Sequence, residues 1–302
     1  MTTNAISLEN ATKYYGQQLG VADLSLEVSQ GEVFGYLGPN GAGKTTTIRM
    51  LLDFIRPTSG KLTILGQDAH LNSVELRRRV GYIPGDPKLY GNLNGREFLT
   101  YLANLRDGVD QGMVGSLAER LDCDLSRPID TLSQGNRQKI AVINAFMHEP
   151  EILILDEPTS GLDPLMQQEF QALILEVKEQ GRTVFLSSHI LPEVEELCDR
   201  VAIIRQGRIV AVETIEALKS LAIRRLKIDF AGPIDPADFS NLPGIRNLDV
   251  SETSLRCDIP GSLDALIKRS ARYEVVNLST SEPNLEEIFL SYYGGSVADD
   301  AG

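Results

Sequence analysis

A glycine-rich octapeptide carries the clearest chemistry in this chain of 302 residues. Residues 38–45 fit the pattern GxxxxGK[ST], follow a short apolar stretch and open a predicted helix. Glycines in such a loop let backbone N–H groups converge on an anion, and the helix N-terminus adds partial positive charge. Lys44 would neutralise the β- and γ-phosphates of a nucleotide, and the Thr45 hydroxyl would ligate Mg²⁺. The octapeptide therefore predicts a site for nucleotide phosphates.

Two adjacent carboxylates supply the other groups that such a site needs. Asp156 and Glu157 follow the apolar run at residues 152–155, which is typical of a buried strand. Ligands of open α/β sheets gather at the carboxyl ends of the strands. Phosphoryl transfer needs a carboxylate oriented toward Mg²⁺ and a group that acts on the attacking water. We expect Asp156 to serve the metal and Glu157 to polarise the water.

A second helix start could also face an anion. Residues 132–136 read Leu-Ser-Gln-Gly-Asn and precede a predicted helix at residues 137–147. A hydroxyl and a glycine at a helix start can bind an anion, but an ordinary N-cap is the simpler interpretation of these residues alone. One chain already has its phosphate helix at Lys44. A second one would be useful if it faced the nucleotide held by another subunit.

The surrounding elements predict an α/β core followed by a smaller domain. Apolar runs without polar alternation, separated by helical stretches, are typical of a parallel sheet covered on both faces. The predicted strands of this core are residues 33–37, 152–155 and 183–186, and its predicted helices are residues 44–54, 97–122 (a mostly helical insert), 137–147 and 164–180.

The chain changes character near residue 220. Strands and helices in the order βαββαβ, with a terminal helix, predict a ferredoxin-like domain. The predicted elements are a strand at 223–230, a short helix near Ala237, a hairpin of 245–250 and 254–259, a helix at 263–272, a strand at 273–278 and a helix at 284–293.

Composition and charge exclude several classes of protein. Basic residues number 29 and acidic residues 42, and this net charge of −13 argues against a protein that binds nucleic acid or anionic lipid. Apolar residues make up 42% of the chain, enough for a sizeable core. No apolar run is long enough to span a bilayer, and the first residues lack the features of a signal peptide. The three cysteines form no CxxC motif and fit a reducing compartment.

Taken together, residues 4–218 resemble the ATP-binding subunits of ABC transporters. Walker A (residues 38–45), the signature (132–136), Walker B (152–156), the D-loop (160–163) and the switch histidine His189 occur here in the family's order. Tyr15 matches the aromatic residue that stacks on adenine, with Tyr14 as the competing candidate. The resemblance implies these roles: ATP binding by Tyr15, Gly38, Pro39, Asn40, Gly41, Ala42, Gly43, Lys44, Thr45 and Thr46; catalysis by Lys44, Glu157 and His189; Mg²⁺ binding by Thr45 and Asp156; contact with a partner's ATP by Ser133, Gln134 and Gly135; and a D-loop role for Asp163.

The resemblance also implies an architecture and partners. The expected fold is a P-loop NTPase core with a helical subdomain at about residues 90–150, within an ATP-binding domain at 1–218. A ferredoxin-like accessory domain at 219–295 and a flexible tail at 296–302 would follow. Two such subunits, identical or paired, would form a head-to-tail dimer around two MgATP. The dimer would dock on a membrane permease at the cytoplasmic face of the cell membrane and bind no nucleic acid.

Three positions depart from the family's pattern. Gln134 replaces the usual glycine and Asn136 the usual glutamine of the signature, while Ser133 and Gly135 remain. The family usually has glutamine at position 85, where it ligates Mg²⁺ and couples the nucleotide to the membrane subunit. Gly85 has no side chain, so either water fills the place or Asp86 takes it through a shifted loop.

The C-terminal residues 281–290 are similar to the ending of ATPases that serve drug, antibiotic or ion exporters. The main alternative is a soluble ABC-type ATPase of DNA repair or translation. The absence of a long coiled coil, the single Walker A motif and the acidic charge weigh against it. A nucleotide-binding module that does not hydrolyse ATP is a third hypothesis, and the pair Glu157 and His189 argues against that one.

Overall fold

The computed structural model describes residues 4–281, except residues 107, 222, 223, 241, 243, 260 and 261. The chain divides into two compact units, residues 1–213 and residues 214–302. The predicted domain boundary after residue 218 falls in the second unit, within a helix at Ile215–Leu221. The predicted terminal helix at 284–293, the tail at 296–302 and most of the exporter-like ending lie outside the described residues.

The core of the first unit is a six-stranded sheet with the order β10-β9-β3-β8-β7-β6. Its strands are β3 (Val33–Leu37), β6 (Val80–Ile83), β7 (Ile152–Asp156), β8 (Thr183–Ser188), β9 (Arg200–Arg205) and β10 (Arg208–Thr214). Neighbouring strands from β9 to β6 pair in parallel, and every residue of β3, β7 and β8 is buried. The predicted parallel sheet is confirmed. Because Leu37 pairs with Ser188 and Asp156 with Ser187, the loops after three strands meet at one edge.

A second, antiparallel sheet in this unit was not predicted. Its order is β2-β1-β4-β5, built from β1 (Asn4–Tyr15), β2 (Gln18–Ser29), β4 (Ser59–Ile64) and β5 (Gln67–Asp68). The pairing of β1 with β4 joins distant segments, so no local pattern announces it. The sheet shares its apolar core with the helix after the glycine-rich loop, through residues such as Ile6, Leu24 and Ile48. It thereby brings the end of β1 toward that loop.

Helices surround the sheets, and side-chain caps begin several of them. The helices are α1 (Lys44–Leu51), α2 (Ser73–Arg79), α3 (Gly95–Asn104), α4 (Gln111–Arg120), α5 (Gln134–Phe146), α6 (Pro164–Glu179), α7 (Leu191–Leu197), α8 (Ile215–Leu221) and α9 (Asp264–Ser270). Helix α1 ends three residues before its predicted end at Phe54, because Asp53 turns into the left-handed conformation with φ 55°. Helix α5 begins three residues before its predicted start, because the Ser133 hydroxyl caps it.

The second unit is built on an antiparallel sheet of order β12-β13-β11-β14. Its strands are β11 (Arg224–Phe230), β12 (Arg246–Val250), β13 (Ser254–Ile259) and β14 (Val275–Ser281), and α9 lies between the last two in the chain. This is the predicted order, except that the predicted first helix is a single 3₁₀ turn at Pro236–Asp238. Tyr273 ties that turn to the rest of the unit, since its hydroxyl donates to Asp238. Among the described residues, no helix has the length and hydropathy that a membrane crossing requires.

Candidate functional site

The glycine-rich loop lies between β3 and α1, and its packing leaves no room for a side chain at Gly38 or at Gly43. Gly41 and Gly43 adopt positive φ angles of 82° and 112°, a conformation that glycine adopts without strain. A Cβ on Gly38 would lie 2.5 Å from the carbonyl oxygen of Ile204, and one on Gly43 would lie 2.6 Å from the Val21 side chain. The loop is therefore pressed against β9 and β2. Ala42 is buried within it, and its N–H donates to the Pro39 carbonyl.

Lys44 folds back over this loop. Its ammonium donates to the carbonyl oxygens of Gly38, at 2.7 Å, and Pro39, at 3.3 Å. The same nitrogen lies 3.1 Å from a carboxylate oxygen of Glu157, and the side chain is only 5% exposed. A buried ammonium is costly unless it is paired. The carbonyls and the carboxylate together hold its positive charge over the N-terminus of α1.

Asp156 is the centre of a second set of contacts. One of its carboxylate oxygens accepts from the Thr45 hydroxyl at 2.8 Å, and the other accepts from the Ser187 hydroxyl at 2.6 Å. Asp156 is buried, at the carboxyl end of β7. A hydroxyl and a carboxylate are oxygen donors of the kind that Mg²⁺ prefers, so the chemistry of this pair fits that ion. The structure brings the two predicted metal ligands together.

Gly85 lies beside the same carboxylate. A Cβ on Gly85 would lie 3.4 Å from the Asp156 carbonyl oxygen and 3.7 Å from its carboxylate, at ordinary contact distances. Asp86 turns away, since its side chain is 74% exposed and pairs with Lys88. The structure thus supports the interpretation in which Gly85 adds no ligand, and it gives no support to Asp86 as a substitute.

Glu157 joins Lys44 to His189. Its backbone has a φ of 49°, which is unusual for a residue other than glycine, and its N–H donates to the Ser187 carbonyl. One carboxylate oxygen faces Lys44, and the other lies 3.3 Å from Nδ1 of His189. Such backbone strain persists only where the surroundings over-determine it, and it concentrates at active sites. The three predicted catalytic residues therefore meet at the edge of the sheet.

A cavity of about 280 Å³ opens over the loop and α1. Its lining residues are Tyr15, Gln18, Leu19, Gly20, Asn40, Gly41, Gly43, Lys44, Thr45, Thr46 and Glu157. The Tyr15 ring is 45% exposed, and its hydroxyl lies 3.5 Å from that of Thr46. Tyr14 is not among the described residues that line the cavity, and its N–H is bound to Thr58 instead. Of the two candidate aromatic residues, Tyr15 is the one beside the predicted phosphate site.

The signature residues lie elsewhere. The Ser133 hydroxyl accepts from the Asn136 N–H at 3.3 Å and caps α5. A Cβ on Gly135 would lie 2.6 Å from the Gly161 carbonyl oxygen. Ser133, Gln134 and Gly135 are not among the described residues that line the cavity. The structure therefore does not bring them to the Walker A loop of their own chain.

Asp163, the predicted D-loop residue, caps α6. Its carboxylate accepts from the Met166 N–H at 3.1 Å, and Pro164 follows at the first helical position. Within the chain this is a helix N-cap of the usual kind. The structure provides no contact between Asp163 and the cavity.

Sequence reasoning missed two buried polar residues beside the catalytic groups. Gln138 is 1% exposed, and its side-chain amide donates a hydrogen bond of 2.7 Å to the carbonyl of Pro158, the residue after Glu157. Glu193 is 5% exposed and accepts a hydrogen bond from the Ser188 hydroxyl. Burial raises the pKa of Glu193, and the Ser188 hydroxyl partly offsets that effect. No local pattern marked either residue, since Gln138 stands between Arg137 and Lys139 and Glu193 lies in a helix with two further glutamates.

Comparisons with known proteins agree with this geometry. Residues 21–160 match a family model described as ABC transporter. The bacitracin transport ATP-binding protein BcrA of Bacillus licheniformis is 34% identical over 97% of this chain and 98% of its own length. The linearmycin resistance ATP-binding protein LnrL of Bacillus subtilis is 31% identical over 97% and 100%. The Nod factor export ATP-binding protein I of Rhizobium leguminosarum bv. viciae is 34% identical over 96% and 95%.

Solved structures show the same fold. An ATP-binding subunit of an ABC transporter superimposes with a TM-score of 0.66 and 32% identity, over 71% of this chain and 92% of that one. A dimeric ATP-binding cassette in a post-hydrolysis state, bound to ADP and Pi, superimposes with a TM-score of 0.62, over 70% of this chain and 98% of that one. The latter is 21% identical, so it informs the fold alone.

Proposed function

This chain belongs to the family of ABC transporter ATP-binding subunits and is an ATPase, and from that premise we propose that it drives the export of a small compound through a separate membrane subunit. The names of three relatives support export, since they describe bacitracin transport, linearmycin resistance and Nod factor export. None of these relatives is described as a protein of DNA repair or translation. The membrane subunit would select the compound.

One observation carries the assignment of the catalytic site: Lys44, Thr45, Asp156, Glu157 and His189 are linked by direct contacts at the N-terminus of α1. Lys44 would bind the β- and γ-phosphates, to which the loop N–H groups and the helix dipole also contribute. Glu157 would accept a hydrogen bond from the attacking water and orient it. His189 would hold Glu157 in place and contact the γ-phosphate. Tyr15, at the mouth of the cavity, would stack on adenine.

Thr45 and Asp156 would hold the Mg²⁺ that accompanies ATP. When bound, the ion neutralises charge that develops on the phosphate oxygens. Their hydrogen bond already sets the hydroxyl and the carboxylate at 2.8 Å from one another. Ser187 would fix the second carboxylate oxygen, so that Asp156 presents the first one toward Thr45.

A second ATPase subunit would complete the site. The capped start of α5 presents Ser133 and Gln134, both exposed, away from the chain's own cavity. A helix N-terminus favours an anion. We therefore propose a head-to-tail dimer in which these residues and Gly135 face the nucleotide of the other subunit, with Asp163 at the same interface.

The membrane subunit would bind at a groove between α2 and the end of α3, at the inner face of the membrane. This groove of about 360 Å³ is lined by Val74, Arg77, Arg78, Leu102, Leu105, Arg106 and Asn144. Val74 and Leu105 are 72% and 60% exposed, so the groove presents apolar surface beside its arginines. The arginines favour an acidic, partly apolar cytoplasmic segment as the occupant.

The variant Glu157→Gln tests the proposal. Loss of the base should slow hydrolysis by about 10²- to 10⁴-fold while ATP still binds. The variant should therefore accumulate as a dimer that traps ATP, which light scattering can measure. Wild-type turnover in this variant would refute the role of Glu157. A monomer under saturating MgATP would contradict the dimer, and an ATPase rate that a co-expressed membrane subunit does not change would contradict coupling.

A further inference from the structure

The first turns of α5 contact the loop that follows Glu157. Gln138 is buried, and its side-chain amide donates a hydrogen bond of 2.7 Å to the Pro158 carbonyl. The carbonyl is the one backbone group through which a proline can form a hydrogen bond, because proline has no N–H. In a buried setting such a bond is strong, and an unpaired carbonyl there is unfavourable. The bond therefore ties the helix to the residue next to Glu157.

The same helix contacts the far end of this loop. A Cβ on Gly135 would lie 2.6 Å from the Gly161 carbonyl oxygen, so no residue larger than glycine fits without displacing the loop. Gly161 has a φ of 79°, and a Cβ there would lie 3.4 Å from the Gln134 side chain. Residues 158–161 are thus held by α5 at both ends, through Gln138 and through Gly135.

The loop itself is tightly wound. The Ser160 N–H donates to the Glu157 carbonyl at 3.2 Å, and the Leu162 N–H donates to the Thr159 carbonyl at 3.1 Å. Glu157 keeps its φ of 49° between this loop and the end of β7. A movement of α5 relative to β7 must therefore move the Pro158 carbonyl and, with it, the strained backbone of Glu157.

We propose that Gln138 is a positioning residue for Glu157. This rests on the proposed function, which assigns Glu157 to the attacking water and the start of α5 to the nucleotide of the second subunit. Gln138 links those two sites inside one chain. A nucleotide that draws the start of α5 toward the other subunit thereby sets the position of this chain's own Glu157. ATP hydrolysis at the two sites is coupled as a result.

The variant Gln138→Leu removes the donor and keeps the size of the side chain. ATP affinity of the isolated chain should stay within about twofold, since α1 and its loop are untouched. Single-turnover hydrolysis should fall by about tenfold to a hundredfold, because small displacements of a reacting group have effects of that size. The matched control is Gln171→Leu on α6, whose amide donates to Glu196 instead. Its rate should not change, and equal losses in both variants would overturn the proposal.

A second variant covers the case in which Gln138→Leu does not fold. In Gln138→Glu, an ionised carboxylate repels the Pro158 carbonyl, whereas a protonated one donates to it. The hydrolysis rate relative to wild type should therefore recover as the pH is lowered from 8 to 6. A ratio that does not change with pH would count against the bond to Pro158 as the cause.

A double-mutant cycle decides whether Gln138 acts through Glu157. In the Glu157→Gln background, Gln138→Leu should lower the residual rate by less than about twofold, since no carboxylate remains to be positioned. Multiplied losses would show an independent role and overturn the inference. If Glu157→Gln itself hydrolyses at the wild-type rate, the proposed function fails. If Glu157→Gln is slow but Gln138→Leu is normal, only the role of Gln138 fails.

Discussion

Helices α1 and α5 both begin at a predicted anion site, yet their surroundings differ. At the start of α1, Lys44 is 5% exposed and contacts two carbonyls and Glu157. At the start of α5, Ser133 and Gln134 are exposed, and the serine hydroxyl accepts the hydrogen bond of a helix cap from Asn136. The first helix begins at the sheet edge where β3, β7 and β8 end, whereas α5 begins after a 3₁₀ turn at Ile129–Thr131.

The proposed dimer requires two unlike halves of a site in each chain, the α1 half (Lys44, Thr45, Asp156, Glu157 and His189) and the α5 half (Ser133, Gln134 and Gly135). The sheet edge collects a cation, two carboxylates and a histidine from separate loops, because parallel strands end together. The start of α5 has the dipole and the hydroxyl but no catalytic partner among the described residues that contact it. In the proposed dimer, the α5 half gains its role when the other subunit brings a nucleotide to it.

The largest expected effect comes from the α1 half. Lys44→Ala removes the charge that would bind the phosphates, and the ATPase rate should fall by about 10²- to 10³-fold. Lys44 is the first residue of α1 and is buried against two carbonyls and Glu157, so a thermal melt must accompany the assay to show that the variant is folded. Lys268→Ala, which removes a surface lysine paired with Asp264, serves as the control and should hydrolyse ATP normally. Full activity of Lys44→Ala would remove the basis for treating this half as the phosphate site.

A mixing experiment tests whether the α5 half belongs to the partner's site. Ser133→Arg should leave ATP binding by the single chain intact but prevent the ATP-bound dimer. An equal mixture of Ser133→Arg and Lys44→Ala chains should recover ATPase activity, up to roughly a quarter of the wild-type rate, because half of the dimers are mixed and each has one complete site. Each variant alone should be inactive. No recovery, with mixed dimers present by mass spectrometry, would contradict the division into halves.

Acid should lower the stability of the chain through a histidine at the end of α5. His148 follows this helix, and its Nε2 lies 3.2 Å from the Val80 carbonyl oxygen. Burial, with a contribution from the nearby Arg106 charge, lowers the pKa of His148 to about 4 from 6.5. The folded chain therefore binds fewer protons than the unfolded chain between these pH values, so stability is lost as the pH falls. The free energy of unfolding should drop by about 3 kcal/mol between pH 7 and pH 4 from this group.

Urea unfolding at the two pH values measures this effect. In His148→Gln the pH dependence should be flatter by that amount. An unchanged slope in His148→Gln would show that other groups carry the acid sensitivity.

The smallest expected effect concerns Gly85. A Cβ there would lie at ordinary contact distances from Asp156, so a glutamine would add an amide oxygen on the side of the proposed Mg²⁺ site. Gly85→Gln should lower the Mg²⁺ concentration for half-maximal ATPase by about twofold. Asp86→Ala is the matched control, and it should leave the Mg²⁺ dependence unchanged because Asp86 pairs with Lys88 at the surface. A large loss in Asp86→Ala would instead support a shifted loop.

Short-range patterns made much of this predictable. The glycine-rich loop, the apolar strands and the capped helix α6 depend on residues close together in the chain, and the structure has them where the sequence placed them. The start of α5 was predicted too late, because Gly135 and Asn136 are weak helix formers and only the Ser133 cap includes them in the helix. The antiparallel sheet was missed because β1 pairs with β4 across some fifty residues.

The sequence by itself determined the phosphate-binding chemistry, because the loop, Lys44 and Thr45 are contiguous and their backbone conformation follows from local glycine content. The tertiary structure decided which distant groups complete it. The contact of Thr45 with Asp156 spans 111 positions and depends on the register of β3, β8 and β7. The place of Tyr15 beside the cavity, the surface pairing of Asp86 and the burial of Gln138 against Pro158 likewise depend on packing between elements. No spacing along the chain encodes such contacts.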